Sequence, residues 1–216
     1  MNLSHSNTYL KNFLSIKNEI LTNNNKITIV VVTKSVGFDE IKDILDYGHL
    51  HFGENRLQSS LVKWAKIKNI FPNIKLHFIG KAQSNKAEDI VKFFSFVHSL
   101  DNQNLAQKFL KAEKKLNKNI KYFIQINTGS ELQKSGVSIA ESTDFIKYCV
   151  HELKLNIIGL MCLPPIKDNS VVHFSLLRDI AKKNNLQHLS MGMSNDYLAA
   201  ISNDSTFIRI GSKIFN

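Results

Sequence analysis

The stretch that decides the fold is Ile27-Thr28-Ile29-Val30-Val31-Val32-Thr33-Lys34, an apolar, β-branched run that ends in a lysine. β-Branched residues favour strands, and an unbroken apolar run is typical of a parallel strand buried on both faces. Similar short runs recur along the chain. We predict eight strands, at Ile27–Thr33, Leu50–Gly53, Lys75–Ile79, Phe96–Ser99, Lys121–Ile126, Asn156–Met161, His188–Ser190 and Phe207–Ile210.

Helical patterns, with apolar residues three and four positions apart, separate these strands. The predicted helices are Asp39–Tyr47, Arg56–Lys68, Asn85–Phe93, Asn102–Asn117, Ile139–His151, Ser170–Asn184 and Asn195–Ser202, and an extra helix, Ser6–Leu21, precedes the first strand. A repeated strand and helix implies parallel pairing with right-handed crossovers, and eight strands are enough to close a (β/α)8 TIM barrel. An open, doubly wound sheet is the alternative architecture.

Composition places the chain among ordinary globular proteins. Its 216 residues are 43% hydrophobic and contain no linker-like stretch, so we expect one domain over residues 1–216. No apolar run reaches the roughly 18 residues of a membrane span. Residues 1–22 show no secretory signal, which favours a cytoplasmic location.

The chain is basic, with 28 Lys and Arg against 18 Asp and Glu. Only three of these cations are arginines and the lysines are spread along the sequence, which favours a solvated surface over a nucleic-acid face. Cys149 and Cys162 lie outside any CxxC pattern and are expected to be buried and free. The eight histidines form no metal-ligand spacing, so no metal site is predicted.

Reactive groups of a parallel barrel project from the carboxyl ends of its strands. Lys34 follows the first strand directly, where a dry barrel mouth would lower its pKa and leave a free amine for Schiff-base chemistry. The alternative is a lysine that ends the strand and points to water. After the second strand, Gly53 permits close backbone approach, while Glu54 and Asn55 supply groups for a hydrogen-bond network.

Three other strand ends carry small or polar residues. His77-Phe78-Ile79-Gly80 leads to Gln83-Ser84-Asn85-Lys86, where Ser84 or Asn85 is alternatively a helix N-cap. Ser190-Met191-Gly192-Met193-Ser194-Asn195-Asp196 and Arg209-Ile210-Gly211-Ser212 follow the seventh and eighth strands, which often bind phosphate in barrel enzymes. We expect a phosphate cup there; a cap at Ser194 and a turn at Gly211 are the structural alternatives.

These motifs follow one another in the order found in a known protein family. They are Thr33-Lys34, Phe52-Gly53-Glu54-Asn55, His77-Phe78-Ile79-Gly80 with Gln83-Ser84-Asn85-Lys86, Gly159-Leu160-Met161, Leu189-Ser190-Met191-Gly192-Met193-Ser194 and the closing Ser205–Phe215 stretch. In these residues the chain resembles the pyridoxal phosphate homeostasis proteins, single-domain relatives of the alanine racemase N-terminal barrel. The resemblance runs from about residue 27 to the end. It implies a carrier of pyridoxal 5'-phosphate (PLP) with no established catalytic residue.

The resemblance also assigns roles to individual residues. Lys34 matches the lysine that holds PLP as an internal aldimine, and Asn55 matches an asparagine that lines the pocket. Ser194, Gly211 and Ser212 match phosphate-binding positions. Arg209 matches an arginine near the pyridine nitrogen, whose fixed charge disfavours protonation of that nitrogen and weakens the ring as an electron sink.

Some positions depart from the family pattern. Ser35-Val36-Gly37 follows the lysine where a proline-containing turn is common, Leu76 replaces a common tryptophan, and Lys81-Ala82 places a lysine near the mouth. None of these changes touches the expected aldimine lysine, the phosphate cup or the arginine.

The sequence leaves three candidate functions. The resemblance favours a monomeric carrier that buffers PLP and hands it to apo-enzymes. An amino-acid racemase is the second, but alanine racemase takes a tyrosine base from a second domain, and we expect none after Asn216. A basic module that binds polyanions is the third, and it predicts steep salt dependence.

Overall fold

The structure is a computed structural model that describes residues 3–21, 27–131 and 135–216, with side chains described from residue 8 onward. Eight parallel strands form a closed barrel in chain order. They are β1 Thr28–Val32, β2 His51–Glu54, β3 Lys75–Phe78, β4 Phe96–Leu100, β5 Lys121–Ile126, β6 Ile157–Cys162, β7 His188–Met193 and β8 Phe207–Ile210. The predicted barrel is confirmed.

Closure rests on the pairing of β1 with β8, from Thr28 opposite Phe207 to Val31 opposite Ile210. An open, doubly wound sheet would leave these two strands apart, so that alternative is wrong.

The sheet is irregular at one point that matters for the site. The register of β7 against β8 shifts between Ser190 and Met193, where Gly192 adopts a positive φ of 92°.

The helices surround the barrel. They are α1 Leu3–Leu21, α2 Phe38–Asp46, α3 Leu57–Ile70, α4 Ala87–Phe93, α5 Gln103–Leu116, α6 Ser142–Lys147, α7 Ser170–Lys183, α8 Tyr197–Ile201 and α9 Ser212–Phe215. The N-terminal helix α1 packs against α2 and α9, with Phe13 against Tyr47 and Tyr9 against Phe215. No helix in the described ranges has the length and apolarity needed to cross a membrane.

The bounds of several elements differ from the sequence prediction, and one helix was not predicted. The helix expected over Ile139–His151 begins later, at Ser142, and its last part, Tyr148–Glu152, is a π-type turn. The strand expected to end at Ser190 continues to Met193. The short helix α9 was not predicted, because four residues are too few to show a helical period.

The core has two layers. The larger layer lies between the sheet and the helices, and includes Trp64, Phe109 and Phe174. The smaller fills the barrel interior and contains Val30, Phe96, Phe123, Met161 and Phe207. The interior is therefore packed with side chains, and the space above this layer, at the carboxyl ends of the strands, is where barrel enzymes place their sites.

Both cysteines are free and buried, as expected. Burial raises the pKa of the Cys149 thiol to about 12, and it does the same for Cys162. At neutral pH both side chains are therefore neutral thiols of low reactivity.

Candidate functional site

A cavity of about 690 Å³ opens at the carboxyl ends of the strands. This volume lies within the usual range of small-molecule sites. All six binding residues expected from the sequence line it: Lys34, Asn55, Ser194, Arg209, Gly211 and Ser212. Residues that are far apart in sequence thus meet at one mouth because parallel strands bring all their carboxyl ends to the same side.

Lys34 stands two residues beyond β1, at the rim of this cavity. Its side chain is exposed and makes no hydrogen bond or ion pair with the described residues. The dry surroundings predicted for it are therefore wrong, since the apolar strand ends before the lysine and leaves it in the open mouth. The amine is nevertheless free to react with a ligand in the cavity.

A buried carboxylate holds the chain in place just before Lys34. Glu54 is 1% exposed, and its Oε1 accepts hydrogen bonds from Thr33 Oγ1 at 2.6 Å and Trp64 Nε1 at 2.9 Å. Lys63 completes the cluster through an ion pair with Glu54 at 2.5 Å and a hydrogen bond to the Thr33 carbonyl at 2.5 Å. Of the network expected at Glu54 and Asn55, the Glu54 part exists, and it fixes the residue that precedes Lys34.

Asn55 follows Glu54 and is half-buried on the cavity wall. Its side-chain amide makes no hydrogen bond with the described residues, so its donors and acceptor are free for a ligand. Gly80 is packed against it so closely that a Cβ atom on Gly80 would lie 2.1 Å from the Asn55 carbonyl oxygen. Only glycine permits this approach of the two loops.

Ser194, Gly211 and Ser212 come together on the other side of the cavity. Ser194 Oγ accepts a hydrogen bond from the Lys213 backbone N–H at 3.2 Å, which ties the loop after β7 to the start of α9. Ser194 therefore satisfies an N–H in the first turn of α9, and the N-cap of α8 is Asp196 and not Ser194. The loop itself is shaped by Asp196, whose Oδ1 accepts from the Met193 N–H at 2.6 Å.

Arg209 forms the floor of the cavity. It is 4% exposed, and its Nη1 donates to the Ser190 carbonyl at 2.7 Å and to Ser190 Oγ at 2.6 Å, while Nη2 donates to the Cys162 carbonyl at 3.0 Å. Burial lowers the pKa of Arg209, but a guanidinium stays protonated in proteins. No described carboxylate lies within 4.0 Å of it. The Asp196 carboxylate, which also lines the cavity, acts on Arg209 only at longer range, so this buried cation favours an anionic ligand above it.

Sequence reasoning missed several supporting residues. Ser190 was noted only as part of the phosphate loop, yet it is the main partner of Arg209. Lys63 and Trp64 lie on α3 and contact Glu54, which no spacing pattern reveals because the contact depends on how α3 packs against β2. Lys81 is exposed at the mouth, as its position after the third strand suggested.

The structure also shows how the chain enters α4 and α2. Ser84–Lys86 forms a short 3-10 turn before α4, and neither Ser84 nor Asn85 caps that helix through its side chain. After Lys34, Gly37 is the N-cap residue of α2, and its N–H donates to Glu40 Oε2 at 3.0 Å. The unusual Ser35-Val36-Gly37 segment thus forms an ordinary entry into a helix.

Comparison with known proteins places the chain in a family. A sequence profile described as the N-terminal domain of alanine racemase matches residues 5–216. The chain belongs to this family. Among curated relatives, the pyridoxal phosphate homeostasis protein of Aquifex aeolicus is 32% identical over 192 residues, which cover 85% of this chain and 83% of that protein. The protein of the same name from Buchnera aphidicola is 34% identical over 199 residues, with 88% and 98% covered.

Solved structures agree with this family membership. PipY of Synechococcus elongatus without PLP superimposes with a TM-score of 0.88 at 27% identity, and covers 95% of this chain and 99% of that one. PipY with PLP bound gives 0.86 at 26% identity, with 96% and 100% covered. Alanine racemase from Corynebacterium glutamicum shares the fold alone, with a TM-score of 0.70 at 14% identity and 61% of its chain covered.

Proposed function

We propose that this protein is a cytoplasmic PLP carrier that buffers the cofactor and delivers it to apo-enzymes, with little or no catalysis of its own. The observation that carries the proposal is the meeting, in one cavity of about 690 Å³, of a lysine amine without a described partner and a buried arginine with no described carboxylate within 4.0 Å. The names of the curated relatives and the PLP-bound PipY structure support it.

The residues present fit PLP chemically. The phosphate group needs hydrogen-bond donors, and Ser194, Ser212 and the backbone around Gly211 supply hydroxyl and amide groups in one corner. Asp196 also lines the cavity, but its Oδ1 accepts from the Met193 N–H within its own loop. The aldehyde needs an amine at the rim, and Lys34 places its Nζ there. Bound PLP is an electrophilic aldehyde and, in enzymes, an electron sink.

Lys34 is the residue that we propose holds the cofactor covalently, as a Schiff base. The Nζ amine attacks the aldehyde carbon, a C=N bond forms, and one water molecule leaves. The reverse step with water returns the free aldehyde and the free lysine, so loading and release need no other reactant. Because Lys34 is exposed, this reversal is open to solvent.

The charge of Arg209 favours the carrier role over racemisation. A guanidinium facing a pyridine nitrogen disfavours its protonation, and useful racemisation also requires a proton donor on the face opposite Lys34. We propose that the protein acts as a monomer, and that transfer to apo-enzymes takes place at the open mouth.

A spectroscopic experiment tests this function. The purified protein is incubated with PLP, and its visible absorption is recorded before and after borohydride reduction, for wild type, Lys34→Ala and the control Lys66→Ala. We expect an absorption band in wild type and in Lys66→Ala that reduction removes, and no band in Lys34→Ala. Lys66 is a suitable control because it is exposed on α3, away from the cavity.

Two results would overturn the proposal. Wild-type protein that shows no band at saturating PLP does not bind the cofactor in this way. Loss of optical activity from an amino acid, at enzymatic rates and abolished by Lys34→Ala, would make the protein a racemase and not a carrier.

A further inference from the structure

Three histidines, two of them fully buried, form a continuous column through the barrel. His51 Nδ1 lies 2.9 Å from His77 Nε2, and His77 Nδ1 lies 2.8 Å from His98 Nε2. His98 Nδ1 then lies 2.8 Å from Ser190 Oγ, the atom that accepts from Arg209 at 2.6 Å. The column therefore runs without a break from the start of β2 to the floor of the cavity.

The direction in which hydrogen bonds are donated along the column follows from Ser190 and Arg209. Ser190 Oγ has two partners in the described part of the chain, His98 Nδ1 and Arg209 Nη1. Arg209 can only donate, so Ser190 accepts from it. The Ser190 O–H then has one acceptor left, which is His98 Nδ1. If His98 donated instead, the buried hydroxyl hydrogen would have no acceptor, at a cost of about 1–3 kcal/mol.

The same argument assigns the position of the hydrogen on each histidine ring. A neutral imidazole that accepts at Nδ1 carries its hydrogen at Nε2. His98 therefore donates to His77 Nδ1, and His77 donates to His51 Nδ1. His51 also carries its hydrogen at Nε2, at the half-buried lower end of the column. Each ring is thus assigned one tautomer. All three assignments depend on Arg209, because its charged guanidinium can only donate.

The surroundings favour neutral rings. His77 and His98 are fully buried, which lowers their pKa well below 6.5, and the positive charge of Arg209 adds to this at His98. Burial and the nearby Lys75 and Lys121 lower the pKa of His51 to about 4. Aromatic rings fix the middle of the column, with Phe96 stacked on His77 at 4.1 Å between centroids and Phe123 against His98 at 4.5 Å.

We propose that His51, His77, His98 and Ser190 form one polarised hydrogen-bond column that positions the Arg209 guanidinium beneath the ligand. Ser190 engages Nη1 through both its side chain and its carbonyl, and the Cys162 carbonyl holds Nη2. Two N–H groups of the guanidinium remain without a described partner, for use by a ligand. These four are positioning residues, and their effect on PLP rests on the function proposed above.

Nitrogen NMR of the histidine rings tests the column in protein without added PLP. We expect neutral rings at pH 7.5, with hydrogen on Nε2 in His51, His77 and His98. Hydrogen on Nδ1 of His77 or His98, or a charged ring at either position, would overturn the proposal. This result does not depend on whether the protein binds PLP.

Two variants separate positioning from ordinary packing. Ser190→Ala removes the hydroxyl that fixes the direction, so the ring signals of His51, at the far end, should change. Ser99→Ala is the matched control, because Ser99 is buried next to His98 and donates to the Gly80 carbonyl at 2.6 Å without joining the column. An unchanged His51 signal in Ser190→Ala, or an equal change in Ser99→Ala, would contradict the column.

The link to the cavity is measured by PLP affinity. Hydrogen bonds to charged groups contribute enough that Ser190→Ala should weaken PLP binding about tenfold. Undiminished affinity in Ser190→Ala would contradict the positioning role. If wild type binds no PLP but the tautomers are as assigned, the proposed function fails while the column stands.

Discussion

At the scale of single residues, Glu54 places the lysine at the cavity mouth. It is buried and ties Thr33 to Trp64, while Lys63 adds an ion pair and holds the Thr33 and Val36 carbonyls. Breaking a buried ion pair by removing one partner leaves the other charge uncompensated, which is strongly destabilising. The cost of such a change therefore reports how firmly the segment before Lys34 is held.

Glu54→Gln is expected to lower the free energy of unfolding by about 2–4 kcal/mol, as measured by urea denaturation. Glu88→Gln is the matched control, because both side chains of its ion pair with Lys115 are exposed by half or more, so the pair should be worth less than about 1 kcal/mol. Equal losses in the two variants would show that the Glu54 cluster does not hold this segment.

At the scale of elements, the end of β7 determines where the phosphate loop begins. Gly192 has φ +92°, and a Cβ atom there would lie 2.6 Å from Ala200 Cβ and 3.0 Å from Tyr197 Cα. The strand therefore bends over α8 at a position where no side chain fits. Ser194 follows two residues later, so the bend also places its hydroxyl at the cavity.

Gly192→Ala is expected to destabilise the protein by about 2–4 kcal/mol, since it combines an unfavourable φ with a clash. Gly48→Ala isolates the first effect, because Gly48 has φ +91° and a Cβ atom added there would meet nothing within 4 Å, so it should cost about 1 kcal/mol. Urea denaturation of both variants measures the difference. A Gly192→Ala protein as stable as Gly48→Ala would contradict the close packing of β7 on α8.

The elements that could be predicted from sequence are those with a strong period. The β-branched run before Lys34 and the alternating strands and helices indicated the barrel, and parallel strands then brought Lys34, Asn55 and Arg209 to one mouth. What could not be predicted depends on contacts across the barrel. The histidine column joins β2, β3, β4 and β7, and no local spacing shows that these rings meet. The exposure of Lys34 likewise depends on where the strand ends.

At the scale of the whole molecule, histidines withdrawn from solvent make stability depend on pH. Burial lowers the pKa of both His49 and His51 from 6.5 to about 4, and it lowers those of His77 and His98 as well. Below pH 6.5 the unfolded chain takes up protons at these positions while the folded chain does not. The contribution is therefore fully present above pH 6.5 and is lost as the pH falls toward 4.

We expect the free energy of unfolding to fall by at least about 2 kcal/mol between pH 7.5 and pH 5. Urea denaturation at a series of pH values measures it, and this window lies above the range where most carboxylates titrate. A free energy that stays constant across it would mean that the histidines are not held neutral in the folded protein.

The central claim, that Lys34 holds PLP in this cavity, is tested most directly by locating the covalent attachment. Protein incubated with PLP is reduced with borohydride, digested, and analysed by mass spectrometry for the modified lysine. We predict one dominant adduct, on Lys34. Dominant modification of Lys81, which also lines the cavity, or an even spread over surface lysines would contradict the claim.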